Sequence, residues 1–185
     1  MQLLSVDSLT INRRDRNLIE DASFGIDLGT KAALIGPNGS GKTSLLRTIA
    51  GIDEEDLGTI IGNNSLQISF LPQHIEHDEE STIRDFFLAD SNPDLEITRR
   101  YYYLLKHDPD NLQELTRLHE RAEETDAWEY ERKAESYLNK LGIENPELLM
   151  SSLSGGQKKK AALARALARK ANLLILDEPT NHLDL

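Results

Sequence analysis

Cysteine is absent from the sequence. That excludes disulfides and thiolate metal sites, and it suits the cytoplasm. No apolar run approaches the roughly 20 residues needed to cross a bilayer, and no signal peptide opens the chain, so no membrane insertion is expected. Cations are in deficit, 21 Lys and Arg against 32 Asp and Glu, for a net charge of −11. Such a balance argues against nonspecific nucleic-acid binding by the whole surface, while leaving room for one basic patch. There is no internal repeat and no low-complexity segment. A length of 185 residues is enough for a domain with a real core.

What is present centres on residues 36–43. Gly36, Pro37, Asn38, Gly39, Ser40, Gly41, Lys42 and Thr43 fit G-x-x-x-x-G-K-[ST], the phosphate-binding loop of nucleoside triphosphatases. A triphosphate needs several donors at close range, and bulky side chains would hold the backbone away. Glycines let the loop curl with its N–H groups inward. A helix expected over 44–50, opening at Ser44, offers its unpaired first-turn N–H groups and positive dipole end to the same phosphates. Lys42 brings a point charge to the β- and γ-phosphates, and the Thr43 hydroxyl can ligate Mg²⁺. The apolar run 31–35 reads as a buried parallel strand, so the motif lies in strand–loop–helix order.

Residues 3–6, 8–11 and 22–28 alternate in the manner of strands, with a polar turn at 13–17, and predict a small antiparallel sheet. Strands are also expected at 58–61 and 66–71, with a turn at 62–64 between them. Pro72 ends the second, and Gln73 follows. Over 74–150 the apolar density falls and charge rises. Helices are expected at 82–89, with Ser81 as N-cap, at 94–106, and at 112–141. The last two, joined by a turn at 107–111, form a charge-rich helical hairpin. Its apolar positions include Leu112, Leu115, Leu118, Ala122, Tyr130, Ala134, Tyr137, Leu138 and Leu141. Ser154, Gly155, Gly156 and Gln157 make an S-x-x-Q capping box that opens a basic, alanine-rich helix through 170. Residues 173–176 form a buried strand ending in Asp177 and Glu178.

An apolar strand ending in two acids is the usual companion of a phosphate loop. Asp177 would hold the Mg²⁺ coordination sphere, and Glu178 would act as general base on the attacking water. The five residues Leu153 to Gln157 read L-S-G-G-Q just upstream of that strand. They resemble the signature motif of ATP-binding-cassette (ABC) ATPases. The resemblance implies an α/β fold: a phosphate-loop core with an antiparallel β subdomain and a helical subdomain carrying a helical-hairpin arm. It implies a head-to-tail pair of cassettes, in one longer chain or in a homodimer, with two Mg-ATP at the interface. Ser154, Gly155, Gly156 and Gln157 would close over the nucleotide of the second cassette. Gln73 looks like the family's glutamine that contacts Mg²⁺ and the attacking water. Leu183-Asp184 looks like the loop whose aspartate bridges the two sites. The expected division is 1–73 for the β subdomain and phosphate-loop part, 74–150 for the helical subdomain with its arm at about 94–140, and 151–185 for the signature helix and acidic strand.

Two departures stand out. The family's adenine-stacking aromatic should fall near Arg13, yet no aromatic lies between Met1 and Ile19. Arg13 or Arg14 could stack by its guanidinium plane. The switch histidine belongs on a strand beyond the aspartate loop, which lies outside this sequence, and His182 is not its equivalent. An isolated piece of this kind is expected to bind ATP with hydrolysis impaired.

Glu178 to Asp184 reads E-P-T-N-H-L-D and resembles the ABC-F branch, whose members carry two cassettes and no membrane domain. The layout is similar to the first cassette of its Uup-like members. That resemblance implies a cytoplasmic ATPase acting in translation, with the arm reaching ribosome, rRNA and tRNA. Arg99, Arg100, Tyr101, Tyr102, Tyr103, Lys106 and His107 form a basic–aromatic cluster that would suit RNA or simply pack the hairpin; at least one of the tyrosines must be exposed. Two alternatives share the catalytic motifs: the ATPase subunit of an ABC transporter, and an ATP-binding piece without hydrolysis. Mg²⁺ with ATP is the only metal expected.

Overall fold

The computed structural model describes residues 1–13, 16–90, 95–125 and 127–179. They fall into two compact units. One comprises Met1–Gln73 with Lys170–Pro179, and the other His74–Arg169.

In the first unit, β1 (Gln2–Arg13) pairs antiparallel with β2 (Arg16–Asp27) on one side and β3 (Leu57–Gly62) on the other. The expected strands at 3–6 and 8–11 are one strand with an interruption. Leu4 and Val6 are buried, and so are Leu9 and Ile11, although the parity changes between the pairs. A register shift between Val6 and Leu9, with Ser8 at φ 50°, takes up one residue and returns Leu9 and Ile11 to the core face. Gly58 answers it on β3: its φ is 92°, and a Cβ there would lie 2.5 Å from the Ser8 carbonyl.

These four side chains pack on Leu45 and Ile49 of α1 (Lys42–Ile49) and on Ile175 of β5 (Leu173–Leu176). β5 pairs in parallel with β4 (Ile68–Leu71). So β3 and β4, expected as neighbours across a turn, belong to different sheets. The run 31–35 is not a strand and is not buried; Ile35 is 90% exposed. Among the described residues no strand lies alongside to take up its backbone hydrogen bonds, and a strand exists only by pairing.

The second unit is helical: α2 (Ile83–Leu88), α3 (Leu95–His107), α4 (Leu112–Glu124), α5 (Ala127–Lys140) and α6 (Gly155–Ala168). Thr82, not Ser81, caps α2, because Asp85 completes a capping box with it. The expected helix over 112–141 is two helices. Leu112, at its start, is exposed. α5 packs on α6, with alanines buried on both, Ala127 and Ala134 on one and Ala161, Ala164 and Ala168 on the other. Arg84 ties four segments of the unit together. It pairs with Glu131, with Glu135 at 2.9 Å and with Glu147 at 2.6 Å, and its guanidinium lies 4.8 Å from the Tyr102 ring. No helix among the described residues is long and apolar enough to cross a membrane.

Candidate functional site

The glycine-rich loop ends where α1 begins. Gly41 is the N-cap, at φ 92°, and brings no side chain to occupy the first-turn N–H groups. No acidic residue sits in that turn either, so no side chain of the turn itself opposes its positive end. A Cβ on Gly41 would meet Leu18 Cβ at 2.8 Å, so close packing as well as backbone conformation demands glycine. The Ser40 N–H donates to the Pro37 carbonyl at 3.3 Å and closes the turn. Lys42 Nζ donates to the carbonyls of Gly36 at 2.9 Å and Pro37 at 3.0 Å, which centres its charge over the loop. Pro37, Asn38 and Gly39 are exposed, while Ser40, Lys42, Thr43 and Ser44 are half-buried.

The acidic pair is positioned by sheet register. Leu71 of β4 is aligned with Leu176 of β5, and the Asp177 N–H continues the ladder to the Leu71 carbonyl at 3.0 Å. Two parallel strands in register release their next residues side by side. Gln73 Nε2 therefore reaches Glu178 Oε2 at 2.8 Å. Asp177 is 2% exposed. Glu178 sits at φ 48°, a left-handed conformation that costs a non-glycine residue about 1–2 kcal/mol and recurs at functional sites. The motif readings set both residues at the same attacking water; the direct bond between the two side chains is what the structure adds. The hydroxyl of Thr43, the carboxylate of Asp177 and the amide oxygen of Gln73 are hard oxygen donors, the set that suits Mg²⁺.

Ser154 and Gln157 make the expected capping box at the start of α6. Ser154 Oγ accepts from the Gln157 N–H at 3.2 Å, and Gln157 Oε1 accepts from the Ser154 N–H at 2.9 Å. Ser154, Gly155 and Gln157 are exposed, with Met150 and Leu153 buried just before them.

Other expected positions fare differently. Arg13 lies 3.5 Å from Asp53 and 4.0 Å from Asp56, beyond the C-terminal end of α1. It is engaged there rather than presented beside the loop. The Arg47 guanidinium, donating to both Asp53 oxygens at 3.0 and 2.9 Å, holds that carboxyl below its ordinary value. In the basic–aromatic cluster, Tyr101 and Tyr102 meet Trp128 edge-on at 5.2 and 6.0 Å. Arg99 pairs with Glu96, and Arg100 with Glu114. Packing thus claims that half, while Tyr103, Lys106 and His107 stay on the surface. Arg14, Asp94, and Thr180 to Asp184 with His182 lie outside the described residues.

The family described as ABC transporter matches residues 19–181. The chain is 36% identical to the ABC transporter ATP-binding protein YfmR of Bacillus subtilis and 34% identical to the ATP-binding protein Uup of Escherichia coli, in each case over 100% of this chain and 30% of the relative. It is 31% identical to the energy-dependent translational throttle protein EttA of Mycobacterium tuberculosis, over 92% of this chain and 31% of that protein. The chain thus spans about a third of the length of these curated relatives. Among solved structures, the ATP-binding subunit of an ABC transporter superposes with a TM-score of 0.69 at 25% identity, covering 98% of this chain and 68% of that one. A nucleotide-free cassette from an ABC transporter gives 0.65 at 20% identity, covering 97% and 70%, and shows the shared fold. With the glycine loop, the acidic strand end and the capped L-S-G-G-Q helix in place, the chain belongs to the ABC transporter family of ATP-binding cassettes, on its ABC-F branch.

Proposed function

We propose that this chain is a cassette that binds and hydrolyses ATP as one half of a head-to-tail pair, in a protein that acts on the ribosome and its tRNA. One observation carries the hydrolytic part: parallel register delivers Asp177, Glu178 and Gln73 together at the strand ends of the unit that also holds the 36–43 loop. The loop N–H groups and Lys42 bind the phosphates. Thr43, Asp177 and Gln73 would hold Mg²⁺, which when bound offsets phosphate charge. Glu178, held by the Gln73 amide, accepts the proton of the attacking water. Ser154, Gly155, Gly156 and Gln157 meet the nucleotide held by the opposite cassette, with the exposed first turn of α6 as donor.

The translational part rests on relatives of the ABC-F branch, EttA by its name among them. The surface trio Tyr103, Lys106 and His107 is compatible with RNA contact.

The test is Glu178→Gln. The isosteric amide still accepts from Gln73, so ATP should bind within about twofold of the unmodified chain, while turnover in the longer protein falls by about 10²–10⁴. Loss of ATP binding, or unchanged turnover, would refute the assignment of the base. Co-sedimentation of that same variant with ribosomes in ATP tests the partner. No ATP-dependent association would favour a transporter subunit instead.

A further inference from the structure

The signature loop is only as well aimed as the helix that carries it. α6 is 14 residues long, a rod of about 21 Å. A tilt of about 10° at its far end would move its first turn by about 3–4 Å, and displacements near 1 Å can cost about 10²-fold in rate. What fixes the far end is ionic and buried. Asp90, directly after the C-cap of α2, is 4% exposed. Its Oδ2 accepts from Arg169 Nε at 2.5 Å and from the Tyr130 hydroxyl at 3.4 Å. One turn earlier, Arg165 lays its guanidinium 3.8 Å from the Phe86 ring centre and donates to the Phe86 carbonyl at 3.2 Å. Arg99 donates to the carbonyls of Leu88 and Asp90. Three arginines from two helices therefore converge on the negative end of α2. Burial pushes the Arg165 guanidinium below its ordinary value, with Tyr130 and Asp90 opposing, so its charge is tolerated there by virtue of those neighbours.

Resting on the proposed role of residues 154–157 at a nucleotide, we infer that Asp90, through Arg165 and Arg169, is the positioning residue of the signature loop. It touches no nucleotide. It locks the last turn of α6 to α2 and α5, and so sets the aim of Ser154 at the other end. Removing the anion leaves two cations in a half-buried place, a strongly unfavourable arrangement that α6 relieves by shifting.

The experiment uses the full chain in a Glu178→Gln background and follows ATP-driven pairing by sedimentation. Asp90→Asn and the milder Arg169→Gln are compared with Asp90→Glu and with Ser154→Ala. ATP affinity is measured separately by equilibrium dialysis. The expected result is that Asp90→Asn and Arg169→Gln raise the ATP concentration needed for pairing about tenfold or more, that Asp90→Glu restores much of it, and that ATP affinity stays within about twofold because the 36–43 loop is untouched. Trp128 emission reports whether the helical unit remains folded; if Asp90→Asn unfolds it, Arg169→Gln decides. Normal pairing in folded Asp90→Asn and Arg169→Gln, with Ser154→Ala defective, would overturn the lock alone. Normal pairing in Ser154→Ala would overturn the role of the loop, and the lock with it.

Discussion

Ser154 has two tasks in this structure, and they can be separated. As N-cap of α6 its hydroxyl oxygen accepts the Gln157 N–H at 3.2 Å. As the proposed nucleotide contact it faces outward from an exposed turn. Replacement by alanine removes both, and loss of the cap costs about 1 kcal/mol. The reciprocal bond, Ser154 N–H to Gln157 Oε1 at 2.9 Å, uses backbone and survives, which keeps the cost near that value. In a unit of about 100 residues it lowers Tm by about 4–8 °C. Aspartate caps as well as serine and adds about 0.3–1 kcal/mol from the helix dipole. Ser154→Asp should therefore match or exceed the original stability, yet place a carboxylate against the phosphate it is meant to clamp. The expected outcome is that aspartate moves from first place to last between the two rank orders, while serine stays ahead of alanine in both. Stability runs aspartate, serine, alanine; ATP-driven pairing runs serine, alanine, aspartate. Trp128, the single tryptophan, lies in α5 of the same unit and gives the thermal readout. Equal Tm losses in both variants would refute the cap, and full pairing in Ser154→Asp would refute the phosphate contact.

Gly41→Ala must adopt φ 92° and push its Cβ to 2.8 Å from Leu18; the left-handed conformation alone costs about 1–2 kcal/mol. ATP affinity by equilibrium dialysis should fall about tenfold or more, with Trp128 emission unchanged; retained affinity would mean that the loop tolerates a different curl. Tyr130 is held neutral by burial first and by Asp90 next, so its hydroxyl titrates well above the ordinary value of about 10. A raised folded-state value means that the stabilisation is complete below pH of about 10 and is lost as pH rises beyond it, because only the unfolded chain ionises there. Tyr130→Phe should therefore blunt alkaline unfolding, at a cost near neutrality of about 0.5–1.5 kcal/mol. Circular dichroism against pH checks it, and an unaltered alkaline limb would refute the assignment.

The parts of the site legible in sequence are those fixed by local geometry. A capping box needs only positions i and i+3, and Ser154 and Gln157 form it as spaced. The phosphate loop needs glycine where the backbone turns left-handed, and Gly39 and Gly41 do so. The Gln73–Glu178 bond joins residues 105 apart, and it follows from the pairing of β4 with β5 in one register out of several. Periodicity cannot choose among those registers. Nor can it supply a neighbour. The run 31–35 has the composition of a buried strand, but composition gives only a tendency. Its exposed Leu34 and Ile35 show what remains of that tendency without a partner alongside.

The division of the expected 112–141 helix was legible in principle, from phase rather than spacing. Leu115, Leu118 and Ala122 make one stripe on α4, and Ala127, Tyr130, Ala134 and Leu138 another on α5. Each stripe has helical spacing by itself. The step from Ala122 to Ala127 is five residues, about 500° of helix, so an unbroken helix would set the stripes about 140° apart. One of them would then face water. A break lets each helix rotate independently, and all seven side chains are buried. Thr125 is suited to the break. Its hydroxyl donates to the Arg121 carbonyl at 2.9 Å, and its backbone, at φ −102° and ψ 6°, leaves the helical region. Continued in phase, the stripe of α4 would have met Thr125, Glu129 and Lys133, all polar. A run of thirty residues at helical spacing is therefore evidence for one helix only when the phase is conserved across it.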